Sequence, residues 1–116
     1  MKNNEEILNT VFKKQENLQY KVDDRGIVTV YEKQNHLIQR IFRKLKVKIP
    51  MYKAITFDEY SSEVFKTVDG IKTVREIGEN LQDKYGEKVF PLYERLLVFL
   101  NHIDVNCNYI EEVHLN

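Results

Sequence analysis

Residues 56–77 read Thr56-Phe57-Asp58-Glu59-Tyr60-Ser61-Ser62-Glu63-Val64-Phe65-Lys66-Thr67-Val68-Asp69-Gly70-Ile71-Lys72-Thr73-Val74-Arg75-Glu76-Ile77, and their order decides the fold. The stretch predicts the end of a strand, a capped helix, a stop and the start of a second helix. Asp58 stands where an N-cap belongs, because its carboxylate accepts from backbone N–H groups that lack intrahelical partners. Tyr60, Val64, Phe65 and Val68 recur on one side at helical spacing. Asp69-Gly70 ends the helix, since Gly takes the left-handed conformation at low steric cost. Thr73 with Glu76 three positions on is a capping-box pattern and opens the next helix. Taken singly, these residues ask for no more than two core helices and a tight corner.

Upstream, residues 1–17 read as an N-terminal arm. Ile7, Leu8, Val11 and Phe12 are the apolar positions in the otherwise polar residues 1–15, which suits a short amphipathic helix or an arm packed on a neighbour. Residues 18–116 then form a single domain. Leu18, Tyr20 and Val22 alternate with polar residues, as in a strand with one wet face. Residues 23–26 carry turn chemistry, and residues 27–31 are rich in β-branched side chains and predict the return strand of a hairpin.

Residues 35–48 differ from their surroundings and read as a basic amphipathic insertion. Leu37, Ile38, Ile41, Phe42 and Leu45 fall on one helical face. Arg40, Arg43, Lys44 and Lys46 fall on the other, Lys48 follows, and no acidic residue interrupts. Two readings compete. The first is a surface helix whose apolar side covers the domain while its charges are solvated. The second is a docking surface for a membrane, an acidic partner or nucleic acid.

Residues 52–57 predict a third strand with Ile55 and Phe57 on one face. A sheet of few strands leaves edges whose N–H and C=O groups are free to pair with another chain. Helices are expected at 59–68 and 74–85. Pro91 suits the first turn of a third helix running to about residue 104. Projected at 3.6 residues per turn, Phe99, Leu92, Ile103, Leu96, Leu100, Tyr93 and Leu97 fill an arc of roughly 160°. One core face needs only about 100°. The surplus, on the Tyr93 and Leu97 side, is covered either by the protein's own arm or basic helix, or by a ligand for which it forms one wall of a groove. Residues 109–113 suit a short extended segment. The resulting fold class is α+β, winged-helix-like, with a three-stranded antiparallel sheet followed by a three-helix bundle.

Composition excludes more than it identifies. The chain has 116 residues, and its 18 basic and 18 acidic residues cancel, so the whole carries no bias toward nucleic acid. The single cysteine, Cys107, rules out an internal disulfide. With no secretory segment and no apolar run long enough for a bilayer, the expected location is the cytoplasm. His36, His102 and His114 are scattered, and the spacing of His102, Cys107 and His114 matches no zinc pattern. No nucleophile motif or Gly-rich phosphate loop is present, so neither catalysis, cofactor nor metal is expected. The same elements also describe a winged helix that reads DNA. Its third helix, however, would carry only Arg95 and His102 as basic side chains, opposed by Glu94 and Asp104.

Phe57, Asp58, Glu59, Phe65, Asp69, Gly70, Thr73, Val74, Glu76 and Ile77 together resemble the signature of the PqqD-like proteins, the group named for pyrroloquinoline quinone synthesis protein D. The similarity runs from about residue 18 to 110. Phe65 stands where that group usually has Trp, Phe57 where it has Leu, and Ser61 where Gly is common. The resemblance implies a recognition element for ribosomally made, modified peptides. Such a module binds a precursor's leader peptide and presents it to a modifying enzyme, often a radical S-adenosylmethionine protein. In that family the leader adds to the edge of the third strand, beside the third helix. Carried onto this chain, the implied peptide site is Tyr52, Lys53, Ala54, Ile55 and Thr56 with Tyr93, Leu96, Leu97 and Leu100. Arg40, Arg43, Lys44 and Lys46 are then candidates for docking the enzyme. An assembly subunit without a peptide ligand, its groove filled by its own arm or by a second copy, is the other alternative to the DNA-binding regulator.

Overall fold

The computed structural model describes residues 3–33, 40, 41, 43–46 and 52–114. The chain opens with a short helix, α1 (Asn4–Leu8), and a strand, β1 (Phe12–Lys14). Strands β2 (Gln19–Val22), β3 (Val28–Lys33) and β4 (Tyr52–Thr56) follow and form an antiparallel sheet in that order. Helices α2 (Glu59–Thr67), α3 (Val74–Tyr85) and α4 (Leu92–Asn101) come next. A π-turn over His102–Asn106 extends α4, and β5 (Ile110–Glu112) pairs antiparallel with β1. The protein is therefore α+β, with a three-stranded antiparallel sheet and, among the described residues, four α-helices.

The decisive stretch folds as its chemistry dictates. The Asp58 carboxylate accepts from the Ser61 N–H at 2.7 Å and starts α2. Thr73 and Glu76 form a reciprocal box: Glu76 N–H donates to Thr73 Oγ1 at 3.2 Å, and Thr73 N–H donates to Glu76 Oε1 at 3.0 Å. Such caps are worth about 1 kcal/mol each. Between the helices Gly70 takes a φ of +82°, and the Asp69 carboxylate accepts from the N–H groups of Ile71 and Lys72, both at 2.9 Å. Phe65 is fully buried, with Tyr20 and Phe57 edge-on to its ring at 5.1 and 5.6 Å. Val28, Val30, Val64, Leu96, Leu100, Ile103 and Ile110 complete the centre of the core.

The terminal segments are more ordered than a fraying arm. Beyond α1 the chain runs between the α2–α3 corner and the tail. Gly70 N–H donates to Phe12 O, and Val74 N–H to Thr10 O, each at 2.9 Å. On the other side Val113 N–H donates to Val11 O at 2.8 Å. The expected extended tail is β5. The third strand ends at Thr56 rather than Phe57, although Phe57 N–H still donates to Val28 O at 2.9 Å. The third helix is α-helical only to Asn101, because the chain widens into the π-turn before residue 104.

Of the basic insertion, residues 40, 41 and 43–46 are described, and Leu37, Ile38, Phe42 and Lys48 lie outside the described residues. Leu45 N–H donates to Ile41 O at 3.2 Å, one turn of helix. Arg40, Arg43, Lys44 and Lys46 are exposed. So are Ile41, at 49%, and Leu45, at 66%. The reading in which this apolar side covers the domain therefore fails for these two residues.

Candidate functional site

The hydrogen-bond parity of the sheet fixes what β4 offers. Phe57 N–H pairs with Val28 O, and the register sets Ile55 opposite Val30 and Lys53 opposite Glu32. In an antiparallel ladder hydrogen-bonded and non-bonded pairs alternate. Lys53 and Ile55 thus turn their backbone groups toward β3, and Tyr52, Ala54 and Thr56 turn theirs away. Among the described residues no strand pairs with that far side. Tyr52, Lys53, Ala54 and Thr56 are exposed, and Ile55 is half-buried.

Phe57 ties the end of this edge to α4. Its ring lies 5.9 Å from that of Phe99, edge to face, and Phe99 in turn lies 6.4 Å from Tyr60. A cavity of about 470 Å³ opens between the first turn of α2 and α4, lined by Tyr60, Ser61, Pro91, Glu94, Arg95, Val98, Phe99 and His102. Val98 and Val105 stand 72% and 67% exposed, and with His102 they fall on one side of α4 and its π-turn.

The α4 residues expected from the sequence lie elsewhere. Leu96 and Leu100 are 0% and 1% exposed and belong to the core, and Leu100 also lines a cavity beside the N-terminal segment. Tyr93 packs on α3, where its hydroxyl donates to Arg75 O at 3.2 Å and its ring lies over Gly78. Leu97 faces the N-terminal segment across a cavity of about 290 Å³ that Ile7, Thr10 and Phe12 also line. The surplus apolar arc on the Tyr93 and Leu97 side is thus met by the protein's own chain. Phe99 was visible in that arc, but at its opposite limit. Arg95 and His102 stood out only as basic side chains, and Tyr60 only as a core position.

A second cluster gathers at the end of α4. Cys107 Sγ lies 3.4 Å from His102 Nε2, and His102 Nδ1 lies 3.2 Å from Asn106 Nδ2. Activated cysteines have a depressed pKa. Here burial, reinforced by the nearby Glu32 carboxylate, pushes the Cys107 thiol up. The Tyr109 hydroxyl, which donates to Glu32, is also pushed up, first by burial and then by that carboxylate. His114 is exposed, and His36 lies outside the described residues. Among the described residues no three His, Cys, Asp or Glu side chains gather as metal ligands, and no helix is long and apolar enough to cross a membrane.

The chain matches no family model, no curated protein and no solved structure.

Proposed function

We propose that this protein is a non-catalytic, cytoplasmic peptide-binding module with a winged-helix-like arrangement. It takes an extended precursor peptide as a fourth strand on β4 and presents it to a modifying enzyme, of which a radical S-adenosylmethionine protein is one type. The observation that carries the reading is the outward set of backbone groups on Tyr52, Ala54 and Thr56. Strand addition derives affinity from such main-chain bonds and selectivity from pockets for alternate side chains. Those pockets are offered by the side of α4 that bears Val98, Phe99 and His102, one helical face away from the residues expected at first. The exposed Arg40, Arg43, Lys44 and Lys46 support docking of an acidic surface on the enzyme, without ion pairs to other described residues.

Two proline substitutions test the reading. Ala54→Pro removes an outward N–H, so the melting temperature should hold while calorimetry with a candidate precursor peptide that binds the parent loses its heat of binding. Ile55→Pro removes an N–H that bonds within the sheet and should cost about 1–3 kcal/mol of stability. If folded Ala54→Pro binds the peptide as the parent does, strand addition at β4 is wrong. Binding to duplex DNA with a steep salt dependence would instead mark a winged-helix regulator.

A further inference from the structure

Tyr60, which lines the cavity between α2 and α4, carries a polar group that the other described residues leave unused. The Tyr60 hydroxyl is buried and has no hydrogen-bond partner among the described residues. Buried polar groups are almost always paired, so an orphan calls for an explanation. Arg95 lies across the same ring, its guanidinium carbon 4.4 Å from the centroid. One guanidinium nitrogen, Nη1, donates to Lys88 O at 2.9 Å. No ion pair among the described residues includes Arg95. Arg95 on α4, partly buried and with spare donors, therefore lies across the cavity from the orphan phenol on α2. Val98 and Phe99, three and four residues further along α4, make the surface around Arg95 apolar. The chemistry that satisfies both is a carboxylate carried on an apolar segment.

We infer that this cavity is a selectivity subsite for an acidic side chain, Asp or Glu, of a bound extended peptide, with Arg95 as its charge partner and the Tyr60 hydroxyl as its second donor. The inference rests on the strand-addition reading above, since the cavity lies just past the Thr56 end of β4, where Phe57 and Phe99 meet. Arginine suits the role because its planar fork binds a carboxylate through two parallel bonds. Moving the guanidinium off the ring toward an anion uncovers the face of Tyr60 that it now shields. Glu94, exposed at the same rim, opposes the ligand's charge and favours a carboxylate that enters deeply over one that stays at the mouth.

The test pans a random dodecamer peptide library against the full-length protein and against Ala54→Pro, Arg95→Gln, Tyr60→Phe and Glu94→Gln, each first checked by thermal melt. The expected wild-type pool carries Asp or Glu at a fixed offset from an apolar anchor. Changing that acid to its amide should cost about tenfold in affinity on the wild type, the scale of a charged hydrogen bond. On Arg95→Gln the same change should cost less than twofold. Tyr60→Phe should weaken the acid-bearing peptide about threefold, and Glu94→Gln, at an exposed position with little risk to folding, should strengthen it about twofold. A pool that needs the Ala54 edge but shows no acid preference, or one whose preference survives Arg95→Gln, overturns the subsite and leaves strand addition standing. An affinity for the acid-bearing peptide unchanged by Glu94→Gln also counts against the subsite. Failure of the wild type to retain any peptide overturns strand addition itself, and the subsite with it.

Discussion

The backbone N–H of Val28 donates to the Ser62 hydroxyl at 2.9 Å, inside the core and across 34 residues of sequence. Val28 and Ser62 are 0% and 1% exposed. Helix α2 thereby completes the last backbone bond that β3 would otherwise seek from β4. Ser62→Ala strands a buried donor and should cost about 1–3 kcal/mol. Urea denaturation measures this, and Ser61→Ala, whose side chain carries no such bond, is the control.

Gly78 is required by Tyr93. A Cβ at position 78 would sit 2.5 Å from Tyr93 Cε1. In the wild-type background Gly78→Ala should destabilise, since crowding of about 1–3 kcal/mol exceeds the gain of about 1 kcal/mol in helix preference. With Tyr93→Ala in place the crowding vanishes and the same change should stabilise by about 1 kcal/mol. A double-mutant cycle by chemical denaturation reads the sign reversal.

Asp69 makes stability depend on acid. Hydrogen bonds from the Lys72 ammonium and then the Lys72 N–H hold its carboxyl well below the usual carboxylate range. A group with a depressed folded pKa contributes stability that is present above its ordinary value of 3.8 and is lost as pH falls through the folded one. Asp69→Asn should therefore be less stable than the parent at pH 7, and the gap should narrow as the pH falls from 3.8 toward 2. Melts across that range decide it, and a gap independent of pH would remove the carboxylate from the account.

Neighbouring positions on α4 should respond in opposite ways. Leu97→Glu places a charge against the N-terminal segment, so the melting temperature should fall while the β4 edge stays intact. Val98→Glu alters a side chain that is 72% exposed, so stability should change by no more than about 0.5 kcal/mol while an apolar precursor segment is rejected. Calorimetry beside thermal melts separates the two. If Leu97→Glu abolishes peptide binding in a protein that still melts normally, the groove lies on the Leu97 side after all.

The corner between the first two core helices was legible because its signals are local. Asp58, Gly70, Thr73 and Glu76 act within four residues of themselves. Strands β2 and β3 were legible from alternation and β-branched content, and the free edge of β4 from the small number of strands, whereas β1 fell in residues read as an arm or amphipathic helix. The groove face of α4 was not. An arc of apolar residues states how much of a helix must be covered, but not which neighbour covers which flank. Tyr93 and Leu97 met α3 and the terminal segment, contacts made across 15 residues or more of sequence, and only tertiary packing settles such choices. The orphan hydroxyl of Tyr60 was equally out of reach, because an unpaired donor is a property of surroundings rather than of residue type. One local signal was present and unused: Val98 interrupts the polar side of the third helix.

The pairing of β1 with β5 orders events in time. Gln15 Nε2 meets Asn108 Oδ1 across 93 positions, and Phe12 lies opposite Glu112. Contacts so far apart along the chain carry the largest loop-closure cost and tend to form late. On a ribosome adding about 5–20 residues per second, the first strand waits roughly 5–20 seconds for its partner to be made. During that interval the side of β1 that faces the tail has no partner, while its other side can already meet the corner at Gly70 and Val74, so the earliest strand to be synthesised is covered on one edge well before the other.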